Sequence, residues 1–208
     1  MTEGVRNTLV GIAAFISLVL GLFFYNFLTP RELSDEQYQQ LGYYKYPQAR
    51  DIKPFRLLDQ DGNTASLNDL KGKTSLLFFG FTYCPDICPT TLGVINRAVQ
   101  KLQNPPQVVL VSVDPERDTP AQLKQYLSGF NDDFIGFTGT FDDIVGLATN
   151  VNIAFGKVPG TEPGTYTVDH SASIVVVDTA GKYAGFIKAP HDEQNIIRIV
   201  EAISQASR

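Results

Sequence analysis

The alternation of apolar runs and polar breaks divides the chain into elements. Residues 8–28 (TLVGIAAFISLVLGLFFYNFL) are apolar almost throughout, and no charged residue lies between Arg6 and Arg31. As a helix this stretch is roughly 31 Å long, the thickness of a bilayer's hydrocarbon core. Residues 76–81 (LLFFGF) and 108–113 (VVLVSV) are short, near-continuous apolar runs, the pattern of strands buried on both faces. Helical spacing follows the first run, with Leu92, Ile95, Val99 and Leu102 on one face. After the second, Thr119 and Pro120 form a cap and first-turn pair for a helix reaching about residue 130, and Thr140 caps residues 142–150 in the same way. Residues 55–58 and 65–67 flank a polar turn and predict a small hairpin. Residues 173–177 and 182–187 predict a second hairpin, and Asp192 caps a last helix with Ile196, Ile199, Val200 and Ile203 on one face.

The order β-α-β-α-β-β-α, with an N-terminal hairpin and one inserted helix, is that of a thioredoxin-like α/β fold: a central mixed sheet flanked by helices. The expected layout is a tail at 1–7, one transmembrane helix at 8–28, a juxtamembrane linker at 29–52 and a domain at 53–208. The linker is polar, carries Tyr38, Tyr43, Tyr44 and Tyr46 without core periodicity, and allows one helical turn at 34–41. Residues 156–164, rich in Gly and Pro, predict a flexible loop. The run at 8–28 is longer than a signal peptide's apolar region and ends in bulky Phe24, Tyr25, Phe27 and Leu28, so an uncleaved anchor is expected. The charges beside it, Glu3 and Arg6 before and Arg31 and Glu32 after, do not orient it. Composition excludes one class of partner. With a net charge of −5 over 208 residues and no basic block, the chain offers no attraction to a phosphate backbone, and no nucleic-acid partner is expected.

Candidate chemistry gathers where the first apolar run stops. The chain has two cysteines, Cys84 and Cys88, both in the segment SLLFFGFTYCPDICPTT at 75–91. Pro89 opens the helix that follows, so Cys88 stands at the helix start, where unpaired amides and the dipole are expected to favour a thiolate. In a near-helical segment the two Cα atoms lie roughly 6 Å apart. That suits a switchable dithiol, a metal clip, or both; a purely structural bridge would close too short a loop to stabilise much. Asp86, between the cysteines, reads as an acceptor behind the sulfurs or as a solvated charge. Asp114, Arg117 and Asp118 follow the second strand, at the end where open α/β sheets keep their sites; they read as a loop ion-pair network or as a partner contact. His170 precedes the terminal hairpin and reads either as a strand-edge hydrogen-bonder or as a ligand. His191 reads as solvent-facing or capping.

Three blocks, FFGFTYCPDICPTTL, VSVDPERDTP at 111–120 and VDHSASIVVVD at 168–178, resemble in that order the Sco/SenC family of membrane-anchored, thioredoxin-like copper proteins. The resemblance implies that His170 joins Cys84 and Cys88 as a copper ligand. Two thiolates select Cu(I) and an added imidazole suits Cu(II), whereas a structural zinc site wants four ligands. It also implies a single-pass protein of a bacterial inner membrane, with residues 8–28 in lipid and the domain in the periplasm. The implied partner is the copper-centre subunit of cytochrome c oxidase. The chain would then be a metallochaperone that delivers copper, or a thiol–disulfide oxidoreductase that reduces the target's cysteines, and the same dithiol supports both. Two other classes share features with it. A peroxiredoxin-like peroxidase has a Cys-Pro-Thr element like 88–90, but Pro85 stands where that family carries Thr or Ser. A tethered copper or redox sensor would signal through the membrane helix.

Overall fold

The structure, a computed structural model, describes residues 2–28, 33–162 and 164–206. The chain forms two compact units, Met1–Glu32 and Leu33–Arg208. Residues 29–32, which include the Arg31–Glu32 pair beside the predicted span, and Pro163 of the predicted loop lie outside the described residues. The first unit is helix α1 (Glu3–Leu28), which begins before the apolar run does. It is long and apolar enough to cross a membrane.

The second unit is a thioredoxin-like α/β domain. Its strands are β1 (Tyr43–Asp51), β2 (Arg56–Asp59), β3 (Thr64–Ser66), β4 (Ser75–Gly80), β5 (Gln107–Ser112), β6 (Ile135–Thr138), β7 (Phe155–Pro159), β8 (Tyr166–His170), β9 (Ile174–Val177) and β10 (Lys182–Ile187). Eight of them form one sheet in the order β1-β10-β9-β4-β5-β6-β2-β3. Its centre, β4-β5-β6, is parallel, and β9 runs antiparallel to β4. Every residue of β4 is buried, as a central strand covered on both faces requires. The helices are α2 (Asp35–Gln40), α3 (Ile87–Val99), α4 (Pro120–Ser128), α5 (Phe141–Asn150) and α6 (Glu193–Ala206). Thr119 Oγ1 accepts the Gln122 amide with Pro120 in the first turn, and Thr140 Oγ1 accepts the Asp143 amide, both as the cap signals predict.

Three segments depart from the pattern reading. Residues 33–52 belong to the domain rather than to a linker. Ser34 and Gln37 form a capping box that starts α2, β1 pairs with β10, and Tyr38, Leu41, Tyr43 and Ile52 are buried. Being an edge strand, β1 leaves most of its residues exposed, so no alternation marks it, and Pro47 falls in the register break between Lys45 and Arg50. The first part of the predicted loop, residues 156–159, is strand as well: β7 and β8 pair from Phe155↔His170 to Pro159↔Tyr166 as a separate two-stranded sheet. Four of the five β7 residues are exposed, which removes the periodic signal. Strand β6, four residues with Gly136 among them, is too short for a pattern and is held by pairing to β5 and β2.

The topology brings three loops or strand ends together. The cysteine segment follows β4, the 113–119 loop follows β5, and the β7–β8 hairpin reaches both, through His170 to Cys88 and through Tyr166 to Asp114.

Candidate metal centre

Cys84, Cys88 and His170 meet: their donor atoms all lie within 4.8 Å of one another. Both sulfurs are free thiols, as a site for a soft ion or for thiol exchange requires. Cys88 sits in the first turn of α3 and is fully buried, while Cys84 is half-buried. The Cys88 amide donates to Cys84 Sγ at 3.3 Å. Thus the helix N-terminus that was expected to serve Cys88 instead presents an amide to Cys84. Burial pushes the Cys88 thiol well above its ordinary range, and the neighbouring Cys84 adds to the shift. The expectation of a thiolate at Cys88 is therefore reversed in the metal-free protein, because desolvation outweighs the helix dipole.

The third donor comes from 82 residues further along the chain. His170 Nε2 lies 3.4 Å from Cys88 Sγ, and Nδ1 lies 3.2 Å from the Ser171 carbonyl. A carbonyl only accepts, so Nδ1 carries the proton and Nε2 presents its lone pair to the sulfur. The ring stands edge-on to Phe78 and Phe81, with centroids 5.9 Å from each. Burial lowers the His170 pKa, so the imidazole is neutral, the form that ligates metal. A cavity of about 430 Å³ opens beside the three donors, between Phe81, Cys84, Ile87, Val158 and His170.

The acidic residues separate into two roles. Asp86 is exposed at the start of α3, makes no side-chain capping bond, and its carboxylate accepts from Thr90 Oγ1 at 3.5 Å; among the described residues it makes no hydrogen bond to either sulfur, and it faces solvent. Asp118 is buried and accepts from the Thr82 amide at 3.1 Å, Thr82 Oγ1 at 2.6 Å and Ser112 Oγ at 2.7 Å. It ties the first turn of the cysteine loop to the end of β5. Burial raises its pKa despite these donors. Asp114 is fully buried, pairs with Arg117 and accepts from the Tyr166 hydroxyl at 2.8 Å. The Arg117 guanidinium lies over the rings of Tyr166, Tyr83 and Phe81, at 4.0, 5.0 and 5.6 Å. Arg117 therefore joins the cysteine loop to the strand that carries His170, and the loop network is built into the site rather than offered to solvent.

Two contributors escaped the pattern reading. A Cβ on Gly80 would lie 2.9 Å from Cys88 Sγ and 3.1 Å from the Phe78 ring, so only glycine leaves room for the sulfur at the end of β4. A glycine closing an otherwise continuous apolar strand just before the cysteines was the available signal. His191 is not solvent-facing: it is half-buried, and its Nε2 lies 2.7 Å from the Ala172 carbonyl. It does not join the donor cluster.

Residues 45–205 match the family model described as SCO1/SenC. A putative copper-binding protein of Stutzerimonas stutzeri is 40% identical over 167 residues, which cover 78% of this chain and 81% of that protein. The crystal structure of Arabidopsis thaliana ScoI with copper bound superposes with a TM-score of 0.69 at 33% identity, covering 74% of this chain and 99% of that one. BsSco, a member of the Sco family of cytochrome c oxidase assembly proteins in which a disulfide switch was identified, has a TM-score of 0.62 at 28% identity and covers 77% of this chain and 96% of its own. The yeast relatives are longer proteins, and the chain spans about half their length.

Proposed function

The chain belongs to the SCO1/SenC family, and from that premise we propose that it is a membrane-tethered copper protein serving assembly of the copper centre of a cytochrome c oxidase. One observation carries the copper reading: two sulfurs and a neutral imidazole, drawn from two distant segments, converge within 4.8 Å. Two thiolates provide the soft pair that selects Cu(I), and the imidazole adds the donor that Cu(II) accepts. Cys84, Cys88 and His170 would hold the ion, and copper is cargo rather than a resident cofactor.

The same sulfurs support a second activity. Cys84 is the more accessible of the pair and takes the amide hydrogen bond. In an exchange with an oxidised target, Cys84 as thiolate attacks one sulfur of the target's disulfide and forms a mixed disulfide. Cys88, having lost its proton, then attacks Cys84. The target leaves as a dithiol, and two electrons have passed to it as the Cys84–Cys88 disulfide forms. Copper capture needs both sulfurs reduced, so the two activities exclude each other at any instant.

The test is a copper titration of the full-length protein in detergent micelles. About one ion per chain is expected, with Cu(II)–thiolate absorption. His170→Ala should weaken Cu(II) binding about 100-fold or more and alter that absorption, since it removes a donor outright, yet still form the Cys84–Cys88 disulfide, because exchange needs only sulfurs. A spectrum and affinity equal to the parent's would demote His170 to a strand-edge hydrogen-bonder.

Helix α1 supports the tether, and we assign the domain to the periplasm of a bacterial inner membrane. The protein should stay with membranes washed in alkaline carbonate, since a spanning helix keeps its backbone satisfied in lipid and yields only to detergent. Release into the wash, or a natural mature form lacking residues 1–28, would sink the anchor.

A further inference from the structure

The link between β8 and β9 is three residues long, Ser171-Ala172-Ser173, and it follows directly on His170. Several hydrogen bonds fix it. The Ser171 amide donates to the Ala154 carbonyl at 3.1 Å, and the Ser173 amide to Ser171 Oγ at 3.3 Å. The Ser171 carbonyl receives His170 Nδ1, and the Ala172 carbonyl receives His191 Nε2 at 2.7 Å. Two successive carbonyls are thus each held by a histidine, one the candidate ligand and the other 20 or so positions later, before α6. Because a carbonyl only accepts, His191 must carry its proton on Nε2. Its Nδ1 is left buried without a hydrogen-bond partner among the described residues. A buried polar atom without a partner lowers stability, so the site tolerates a penalty that an apolar side chain would avoid.

We propose that His191 is a positioning residue for His170: its Nε2–H clamps the Ala172 carbonyl and so holds the β8–β9 link in the conformation that aims His170 Nε2 at the Cys88 sulfur. The role is that of the outer hydrogen-bond partners which orient metal-binding histidines, whose loss typically weakens metal binding about 10- to 100-fold. Here the orientation passes through the backbone. The proposal rests on the reading of Cys84, Cys88 and His170 as the copper site.

The first measurement needs neither metal nor mutation. Nitrogen-15 correlation spectra of the histidine rings in the metal-free, full-length protein in micelles should show His191 as the Nε2–H tautomer and His170 as the Nδ1–H tautomer. Finding His191 as the Nδ1–H tautomer overturns the proposal. The second compares His191→Ala, His191→Gln and His170→Ala in the Cu(II) titration. His191→Ala should lose about tenfold or more in Cu(II) affinity and shift the thiolate absorption, and should blur the His170 tautomer signal in the metal-free protein. His191→Gln, which keeps an N–H donor, should recover much of both. Should His191→Ala fail to fold, the parent tautomer and the glutamine variant decide. A His191→Ala protein that melts earlier but binds Cu(II) with the parent's affinity and spectrum assigns the residue a structural role only and overturns the proposal. If His170→Ala itself has no effect, it is the copper site that fails, and the two failures are told apart.

Discussion

Serine at either cysteine should abolish tight Cu(I) binding and disulfide formation together. Apparent free energies for four-ligand thiolate and imidazole sites run to about 10–16 kcal/mol. One donor is therefore worth roughly 2.5–4 kcal/mol, a loss of about 70- to 900-fold in affinity. A hydroxyl does not compensate, being hard and poorly acidic, and it cannot oxidise to a bridge. Folding should survive both changes, since the structure carries free thiols and its core does not depend on a bridge. Loading should depend on pH through Cys88. Burial holds the Cys88 thiol protonated in the metal-free protein, so loading must expel that proton, and parent affinity should rise about tenfold per pH unit for each proton released. The slope contributed by Cys88 should vanish in Cys88→Ser and persist in Cys84→Ser. Competition titrations of Cu(I) across pH 6 to about 8.5 would check this; parent affinity in either variant would dismantle the shared site.

Asp118→Ala should produce the largest loss of stability among the acidic residues around the site. It strips the acceptor from the Thr82 amide, the Thr82 hydroxyl and the Ser112 hydroxyl, and at about 1 kcal/mol or more each the total comes to roughly 3 kcal/mol. For a domain of this size that is a fall in Tm of roughly 6–12 °C. Copper affinity should fall with it, because Thr82 lies two residues before Cys84. Asp86→Ala is the contrast: its exposed carboxylate should be worth less than about 0.5 kcal/mol. Thermal unfolding of the metal-free protein in micelles settles the matter. An Asp118→Ala protein with the parent's Tm that failed only in oxidase assembly would return the residue to the role of a partner contact.

What the sequence shows and hides follows from where each residue lies. Strands β4 and β5 and helices α4 and α5 were legible because continuous burial and side-chain caps leave local marks: the LLFF run, Thr119 before Pro120, Thr140. Strand β1 and the β7–β8 hairpin were not, because both leave most of their residues to solvent, and their pairing is decided by partners far along the chain. The two cysteines announced themselves by spacing. That Cys88 would be the buried sulfur could not be read from its place at a helix start, because burial depends on Gly80, the Phe78 and Phe81 rings and His170 closing over it. For the same reason His191 looked like a surface residue: the carbonyl it binds belongs to a different loop.

The β7–β8 hairpin divides the candidate site between parts of unequal resistance to opening. The sulfurs belong to a segment tied to the central strands, whereas His170 rides on a two-stranded ribbon outside the main sheet. Such ribbons are marginal by themselves, and this one is held through side chains, including the Tyr166–Asp114 bond and the Lys157–Glu116 ion pair. Units that open at low free energy fluctuate without global unfolding. An ion held by all three donors would consequently lose its imidazole first, at the cost of one local fluctuation, and remain on the sulfur pair while an incoming ligand takes the vacated position. On the delivery reading, release then becomes an associative exchange rather than a dissociation, and free copper need never appear in solution.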